Sequence, residues 1–174
     1  PDDFVFDVID EVLTEGVTSR LYSTLVRDKR LAASVLSDTN YPGVRAPNLF
    51  VIAATPLAPH SVTEVETAIY EELDRLKTEP ISAKEFERVL NGLDADLVRS
   101  LRSNSGLASQ LAFYQTVAGT WRYVLNARDR IAAVTPADVQ RVAAQYLTKP
   151  NRTVGVLVKK AQDKKMAAAG EVAR

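Results

Sequence analysis

The sequence predicts an α+β fold in which helices cover an antiparallel β-sheet. Apolar residues recur at helical spacing over most of the 174 residues, two short strand-like runs flank the turn Tyr41-Pro42-Gly43, and a third such run follows the last helix. The order of two helices, two strands, several helices and a strand is typical of this class. We expect one domain over residues 1–160, followed by a tail over residues 161–174.

Two short helices are expected to open the chain. The first ends at Gly16, has Asp and Glu at positions that we expect to face solvent, and carries an apolar stripe of Phe4, Val5, Val8, Ile9, Val12 and Leu13. Thr18 is the expected N-cap of the second helix, which runs to about Lys29 or Arg30. The two helices would form a hairpin.

Small and β-branched residues then predict two antiparallel strands over residues 32–36 and 48–54. Ser61 and Glu64 have the spacing of a capping box, and they predict a helix that stops at Pro80. Ser82 and Glu85 form a second capping box. Helical periodicity after it predicts one long helix, kinked near Gly106 and closed by Gly119.

The last third of the chain contains two more helix signals and one strand signal. Thr120 is the expected cap of a helix that carries Trp121, Val124, Leu125 and Ile131. Thr135-Pro136-Ala137-Asp138 combines a cap, a first-position proline and an acidic residue in the first turn. The β-branched run over residues 153–158 predicts a third strand.

Composition excludes several classes of function. Lys plus Arg equal Asp plus Glu at 22 each, so the chain lacks the basic excess of nucleic-acid-binding proteins and no nucleic acid partner is expected. There is no cysteine, which excludes disulfides and thiolate metal sites. No apolar run approaches the roughly 20 residues of a membrane-spanning helix, so no membrane span is expected.

Catalytic chemistry has little support in the residues. His60 is the only histidine, which excludes any site built from two imidazoles, and we expect it to be an ordinary surface residue. No Gly-x-Ser-x-Gly nucleophile turn and no glycine-rich phosphate loop occurs. We therefore expect no catalytic residue, no metal ligand and no cofactor in this chain.

Four segments, in order, resemble one known family. They are Ser19-Arg20-Leu21-Tyr22 with the following Leu25 to Ala32, then residues 103–111, then residues 135–147, and finally Asn151-Arg152-Thr153-Val154. The chain is similar to the C-terminal, inactive domain of pitrilysin/insulinase-type zinc metallopeptidases, and among these to the processing-peptidase-like bacterial members.

The resemblance implies one half of a clamshell metallopeptidase. In this family, two α+β halves close around a peptide substrate, and the N-terminal half carries zinc on an H-x-x-E-H motif with a distal Glu. Zinc is therefore expected in a catalytic partner half, in the same polypeptide or in a separate subunit. The inactive half supplies chamber walls and an Arg-and-Tyr pair that positions the substrate.

The family's Arg falls on Arg27, the expected substrate-binding residue, whereas its Tyr falls on Ala33. An Ala cannot donate the phenolic hydrogen bond, so the two-residue arrangement is incomplete. The alternative interpretation of Arg27 is a solvated cation that complements the helix dipole. The resemblance further implies an N-terminally truncated domain, because family members have strands before the first helix, and a periplasmic or cell-envelope location.

Three functions follow as competing hypotheses. The leading one is the non-catalytic, substrate-embracing half of a zinc metalloendopeptidase. The second is a catalytically dead, peptidase-like scaffold or peptide-binding subunit. The third is an unrelated α+β interaction domain that has the same order of helices.

Overall fold

The computed structural model describes residues 2–44 and 47–158. The elements in chain order are α1 (Asp3–Leu13), a π-helical segment (Tyr22–Asp28), β1 (Ala32–Tyr41), β2 (Leu49–Pro56), α2 (Val62–Thr78), α3 (Ala83–Leu101), α4 (Asn104–Val117), α5 (Tyr123–Ala132), α6 (Pro136–Tyr146) and a 3₁₀ turn (Lys149–Asn151). The predicted α+β class is confirmed. The predicted tail lies outside the described residues.

Helix α1 is the element around which the core is built. It lies against α3, α5, α6 and β1. Val8, Ile9, Val12 and Leu13 are fully buried, as the predicted stripe requires. Burying an aliphatic side chain of this size stabilises a fold by about 1.5–3 kcal/mol. The position of α1 therefore contributes strongly to the stability of the described part of the chain.

The start of the second helix differs from the prediction. Gly16 ends the α1 region with a φ of 77°, in the left-handed range that glycine tolerates. Ser19, and not Thr18, occupies the cap position, because its carbonyl accepts the N–H of Ser23 at 2.9 Å. The Ser19 side chain is fully buried and donates a hydrogen bond to the Gly16 carbonyl at 2.8 Å. Thr18 and Ser19 are adjacent hydroxyl residues, and the one that caps the helix is the buried Ser19.

Strands β1 and β2 pair antiparallel, as predicted, and both are longer than the sequence indicated. Val35 lies opposite Ala54 and Leu36 lies opposite Ala53. Successive side chains on a strand point to opposite faces of the sheet. Val35 and Ala54 accordingly belong to the face that packs on the core, whereas Leu36 and Ala53 are exposed on the other face.

The prediction of a third strand over residues 153–158 is wrong for the described structure. These residues form no strand, and Val154, Val156, Leu157 and Val158 are all exposed. The segment leaves the core at Arg152, whose guanidinium lies 3.8 Å from the ring centre of Tyr70. A strand needs a pairing partner as well as β-propensity, and none of the described strands pairs with this segment.

The predicted long helix is in fact two helices. α3 ends at Leu101, and α4 begins after Ser103, whose side chain accepts the N–H of Gly106 at 2.9 Å. The Ser103 hydroxyl therefore caps a new helix where the sequence suggested a kink. Gly119 follows α4 with a φ of 72°, so the predicted closing glycine is confirmed.

The other helix signals were largely right. Complete capping boxes open α2 at Ser61 and α6 at Thr135. Helix α5, in contrast, begins at Tyr123 and buries Val124 and Ala127. Trp121 precedes that helix, so its predicted place in the helix was wrong, whereas Leu125 lies in the helix and is exposed. Within the described ranges, no helix is both long and apolar enough to cross a membrane.

Candidate functional site

The segment that carries the candidate site is a π-helical turn between α1 and β1. Its wider hydrogen-bond ring is closed by the Lys29 N–H, which donates to the Thr24 carbonyl at 3.0 Å. The Leu31 N–H then donates to the Leu25 carbonyl at 2.7 Å. Such turns are rare, and they are found frequently at functional sites.

Arg27 lies in the last turn of this segment and faces solvent. Its side chain is 55% exposed and forms an ion pair with the adjacent Asp28, with Nε 2.7 Å from the carboxylate. This hydrogen bond raises the pKa of Arg27 and lowers that of Asp28. An exposed pair of this kind contributes little to stability. The guanidinium is accessible to a ligand, and its role in substrate binding stays a prediction.

Ala33 lies near the start of β1, six residues after Arg27. It is exposed, and it sits at a register shift in the ladder between Ala32 and Ser34. A methyl group at this position leaves that part of the strand without a side-chain hydrogen-bond donor. Arg27 and Ala33 are thus both exposed, and the expected role of these two positions in substrate binding stays a prediction.

Partly buried polar contacts connect the π-helical segment, and the helical turn before it, to neighbouring helices. Arg20 donates two hydrogen bonds to the Glu85 carboxylate, each 2.9 Å long, and the two side chains are only 13% and 22% exposed. These bonds lower the pKa of Glu85. Thr24 donates to the carboxylate of the buried Glu72 at 2.8 Å.

Sequence reasoning missed this buried arrangement. It assigned Glu85 to a capping box, and only half of that box exists. The Ser82 hydroxyl accepts the Glu85 N–H, but the Glu85 side chain bonds to Arg20. The sequence did contain one signal for this contact, because Arg20 lies in the same matched segment as Arg27 and next to the buried Leu21.

In the part of the chain that the structure describes, the residues do not fit a zinc site. His60 is the only histidine, and its Nδ1 lies 3.3 Å from Glu64. That carboxylate is already bonded by the backbone N–H and hydroxyl of Ser61, which lower its pKa to about 2. Across residues 2–44 and 47–158, no three His, Cys, Asp or Glu side chains are grouped to hold a metal ion.

Comparison with curated proteins identifies longer zinc proteases as relatives. An uncharacterised zinc protease of Streptomyces coelicolor is 32% identical over 141 residues, which cover 80% of this chain and 30% of that protein. The zinc protease PqqE of Helicobacter pylori is 27% identical over 145 residues, which cover 83% of this chain and 32% of that protein. The chain thus spans about a third of the length of the curated relatives it matches.

Comparison with solved structures and with family models also identifies zinc proteases and their inactive domains as relatives. The inactive peptidase domain of a candidate zinc protease from Bordetella parapertussis matches with a TM-score of 0.77 and 26% identity, covering 93% of this chain and 87% of that chain. The model of the peptidase M16 inactive domain matches residues 1–93. These findings confirm the resemblance seen in the sequence: the chain belongs to the family of M16 peptidase inactive domains.

Proposed function

We propose that this chain is the non-catalytic half of a zinc metalloendopeptidase and closes over a peptide held near the zinc of a catalytic partner half. One observation carries the proposal. The chain is an inactive domain that spans about a third of its zinc protease relatives, which leaves most of their length for a metal-bearing half. The partner would be part of the same polypeptide or a separate subunit.

Arg27 is the residue through which this half would contact the substrate. Its guanidinium is exposed on the outer side of a segment whose inner side is buried. A planar guanidinium can donate paired hydrogen bonds to backbone carbonyls or to a terminal carboxylate of a peptide. The role of Arg27 in the proposed enzyme is to orient the substrate, and the zinc-bearing half carries out hydrolysis.

The experiment combines this chain with its zinc-bearing half and measures hydrolysis of a peptide. Arg27→Ala should lower kcat/KM by roughly tenfold or more, because it removes a positioned charged donor. Arg99→Ala is the matched control, since Arg99 is also exposed and pairs with a nearby aspartate, Asp96. An unchanged kcat/KM in the Arg27→Ala variant would contradict the proposed contact between Arg27 and the substrate.

A second function, a peptidase-like scaffold that has lost catalysis, is favoured by Ala33. The family pairs its Arg with a Tyr, and this chain has a methyl group at that position. The same assay separates the two functions. Chelator-sensitive hydrolysis by the combined halves supports the enzyme, and further acceleration by Ala33→Tyr would show that the missing phenol limits it. Peptide binding without hydrolysis supports the scaffold.

A further inference from the structure

A partly buried salt bridge lies in the helical turn that leads into the segment that presents Arg27. Arg20 and Glu85 are 65 positions apart in the sequence and connect the start of the second helical segment to the first turn of α3. The Arg20 guanidinium contacts both carboxylate oxygens of Glu85 at 2.9 Å. Two parallel bonds fix the relative orientation of the groups as well as their separation.

The Glu85 side chain bonds to Arg20 and does not complete the capping box with the nearby Ser82. Glu64 and Asp138 occupy the equivalent third position of α2 and α6, and both close a capping box with the preceding cap residue. Glu85 has the same opportunity at Ser82, yet its carboxylate bonds to Arg20 instead. The side chain of Glu85 therefore serves the contact between segments.

A second buried contact holds the middle of the π-helical segment. Thr24 bonds to Glu72 of α2, and Glu72 also accepts hydrogen bonds from Arg75 at 3.1 and 3.3 Å. The contact of Lys29 with Glu71 is exposed, so it should add little. Thr24 thus holds the π-helical segment against α2, and Arg20, in the helical turn just before the segment, connects that turn to α3.

The side chain of Arg27 has no comparable anchor. Its side-chain hydrogen bonds within the described residues go to Asp28, the next residue in the chain. The backbone of the π-helical segment therefore determines where the guanidinium points. The π-helical turn contains an extra residue relative to an α-helix. If it relaxed to an ordinary α-helix, the side chains that follow it would rotate about the helix axis by roughly 100°, which is the angle per α-helical residue.

We propose that Arg20, through its paired hydrogen bonds to Glu85, is a positioning residue that maintains the π-helical turn and thereby aims Arg27 at the substrate. The structural part of this inference concerns this chain alone. The part that concerns substrate rests on the proposed function of Arg27.

The first test is hydrogen exchange of backbone amides in the chain carrying Arg20→Lys. Lysine keeps the charge but cannot form the two-pronged contact. The amides of Lys29 and Leu31, which close the wide turn, should exchange at least tenfold faster, while the amides of α6 should change less than twofold. Arg128→Lys is the control, because Arg128 forms an exposed contact between α5 and Asp94 of α3. Equal exchange at Lys29 and Leu31 in both variants would overturn the inference.

The second test uses the kinetics of the combined halves. Arg20→Lys should lower kcat/KM by about tenfold, and adding Arg27→Ala should cause no further loss, because both changes remove the same substrate contact. Losses that multiply would mean that Arg20 acts independently of Arg27. If Arg20→Lys prevents folding, Glu85→Gln replaces it in both tests. Wild-type kinetics for Arg27→Ala alone would contradict the proposed function, whereas the exchange data would still decide the role of Arg20.

Discussion

Arg30 is the residue at which the chain turns from the π-helical segment into β1. Its φ is 50°, and no other non-glycine residue in the described ranges has a positive φ. A Cβ atom in this left-handed region is crowded by the following carbonyl, at a cost of roughly 1–2 kcal/mol. Arg30 is exposed, so its side chain does little to offset this strain.

Arg30→Gly should therefore stabilise the chain. Glycine removes the crowding, although part of the gain is lost to the greater freedom of glycine in the unfolded chain, so we expect a net gain of about 0.5–1 kcal/mol. Urea unfolding monitored by circular dichroism measures the change. Arg30→Ala keeps the Cβ atom and should show no gain. Equal stabilisation by both substitutions would assign the effect to the lost charge.

At the scale of elements, Gly106 allows α3 and α4 to meet closely. A Cβ atom at this position would lie 2.1 Å from the backbone oxygen of Ser100 and 3.0 Å from the Ser103 hydroxyl. The first of these contacts is with backbone, which cannot rotate away as a flexible side chain would. The break between the two helices thus depends on the absence of a side chain at Gly106.

Gly106→Ala should destabilise the chain by roughly 1–3 kcal/mol, the usual cost of forcing an extra carbon into a packed site. Chemical unfolding of the variant and the parent gives the difference. Gly155→Ala is the matched control, because a Cβ atom there meets nothing within 4 Å. If the two alanine variants were equally stable, the close approach at the helix junction would not be important.

At the scale of the whole molecule, the packing around α1 encloses carboxylates that the sequence placed on a solvated face. Burial is the main reason that the pKa of Asp7 is raised to about 7, and the nearby charges of Asp3 and Asp10 raise it further. Burial, followed by the charge of Asp7, raises the pKa of Tyr114 on α4. Burial, followed by the charges of Asp3 and Asp7, raises the pKa of Tyr123 on α5. Asp7 is one of the acidic residues of the first helix that the sequence predicted to face solvent, and it is partly buried instead.

Glu11, one turn after Asp7, is in a similar environment. Burial and the charges of Glu15, Asp96 and Asp10 raise its pKa to about 7, opposed by Arg88. Its side chain lies against α3, where a Cβ atom at Gly92 would be 3.4 Å from the carboxylate.

These shifts predict that the chain loses stability as pH rises from about 4 to above 7. The folded-state pKa of Asp7 exceeds its ordinary value of 3.8, so the folded chain binds more protons than the unfolded chain in this window. Asp7→Asn, which mimics the protonated form, should reduce this loss by roughly 1–2 kcal/mol after allowance for partial exposure. Urea unfolding of the parent and of the variant at pH 5 and pH 8 measures the loss of unfolding free energy in each.

The exposed Asp129 provides the control, and Asp129→Asn should leave the pH dependence unchanged. Groups with lowered pKa act in the opposite direction. Glu64 contributes stability that is present above its ordinary pKa of 4.5 and is lost as the pH falls to its folded-state pKa of about 2. A parent chain that is equally stable at pH 5 and pH 8 would contradict the buried state of Asp7.

The sequence by itself determined the features that depend on near neighbours in the chain. The caps at Ser61 and Thr135 and the glycine at position 119 were right, because each acts through backbone groups a few residues away. The repeat of apolar residues in α1 identified its buried stripe. A single histidine excluded a zinc site of several imidazoles.

Only the tertiary structure decided what depends on distant partners. Glu85 bonds to Arg20 across 65 positions in preference to its own cap, and Asp7 is partly buried on α1, which packs against helices that follow much later in the chain. Residues 153–158 have strand propensity but no paired strand among the described elements. In each case several local choices are close in free energy, and burial or a distant partner selects one of them.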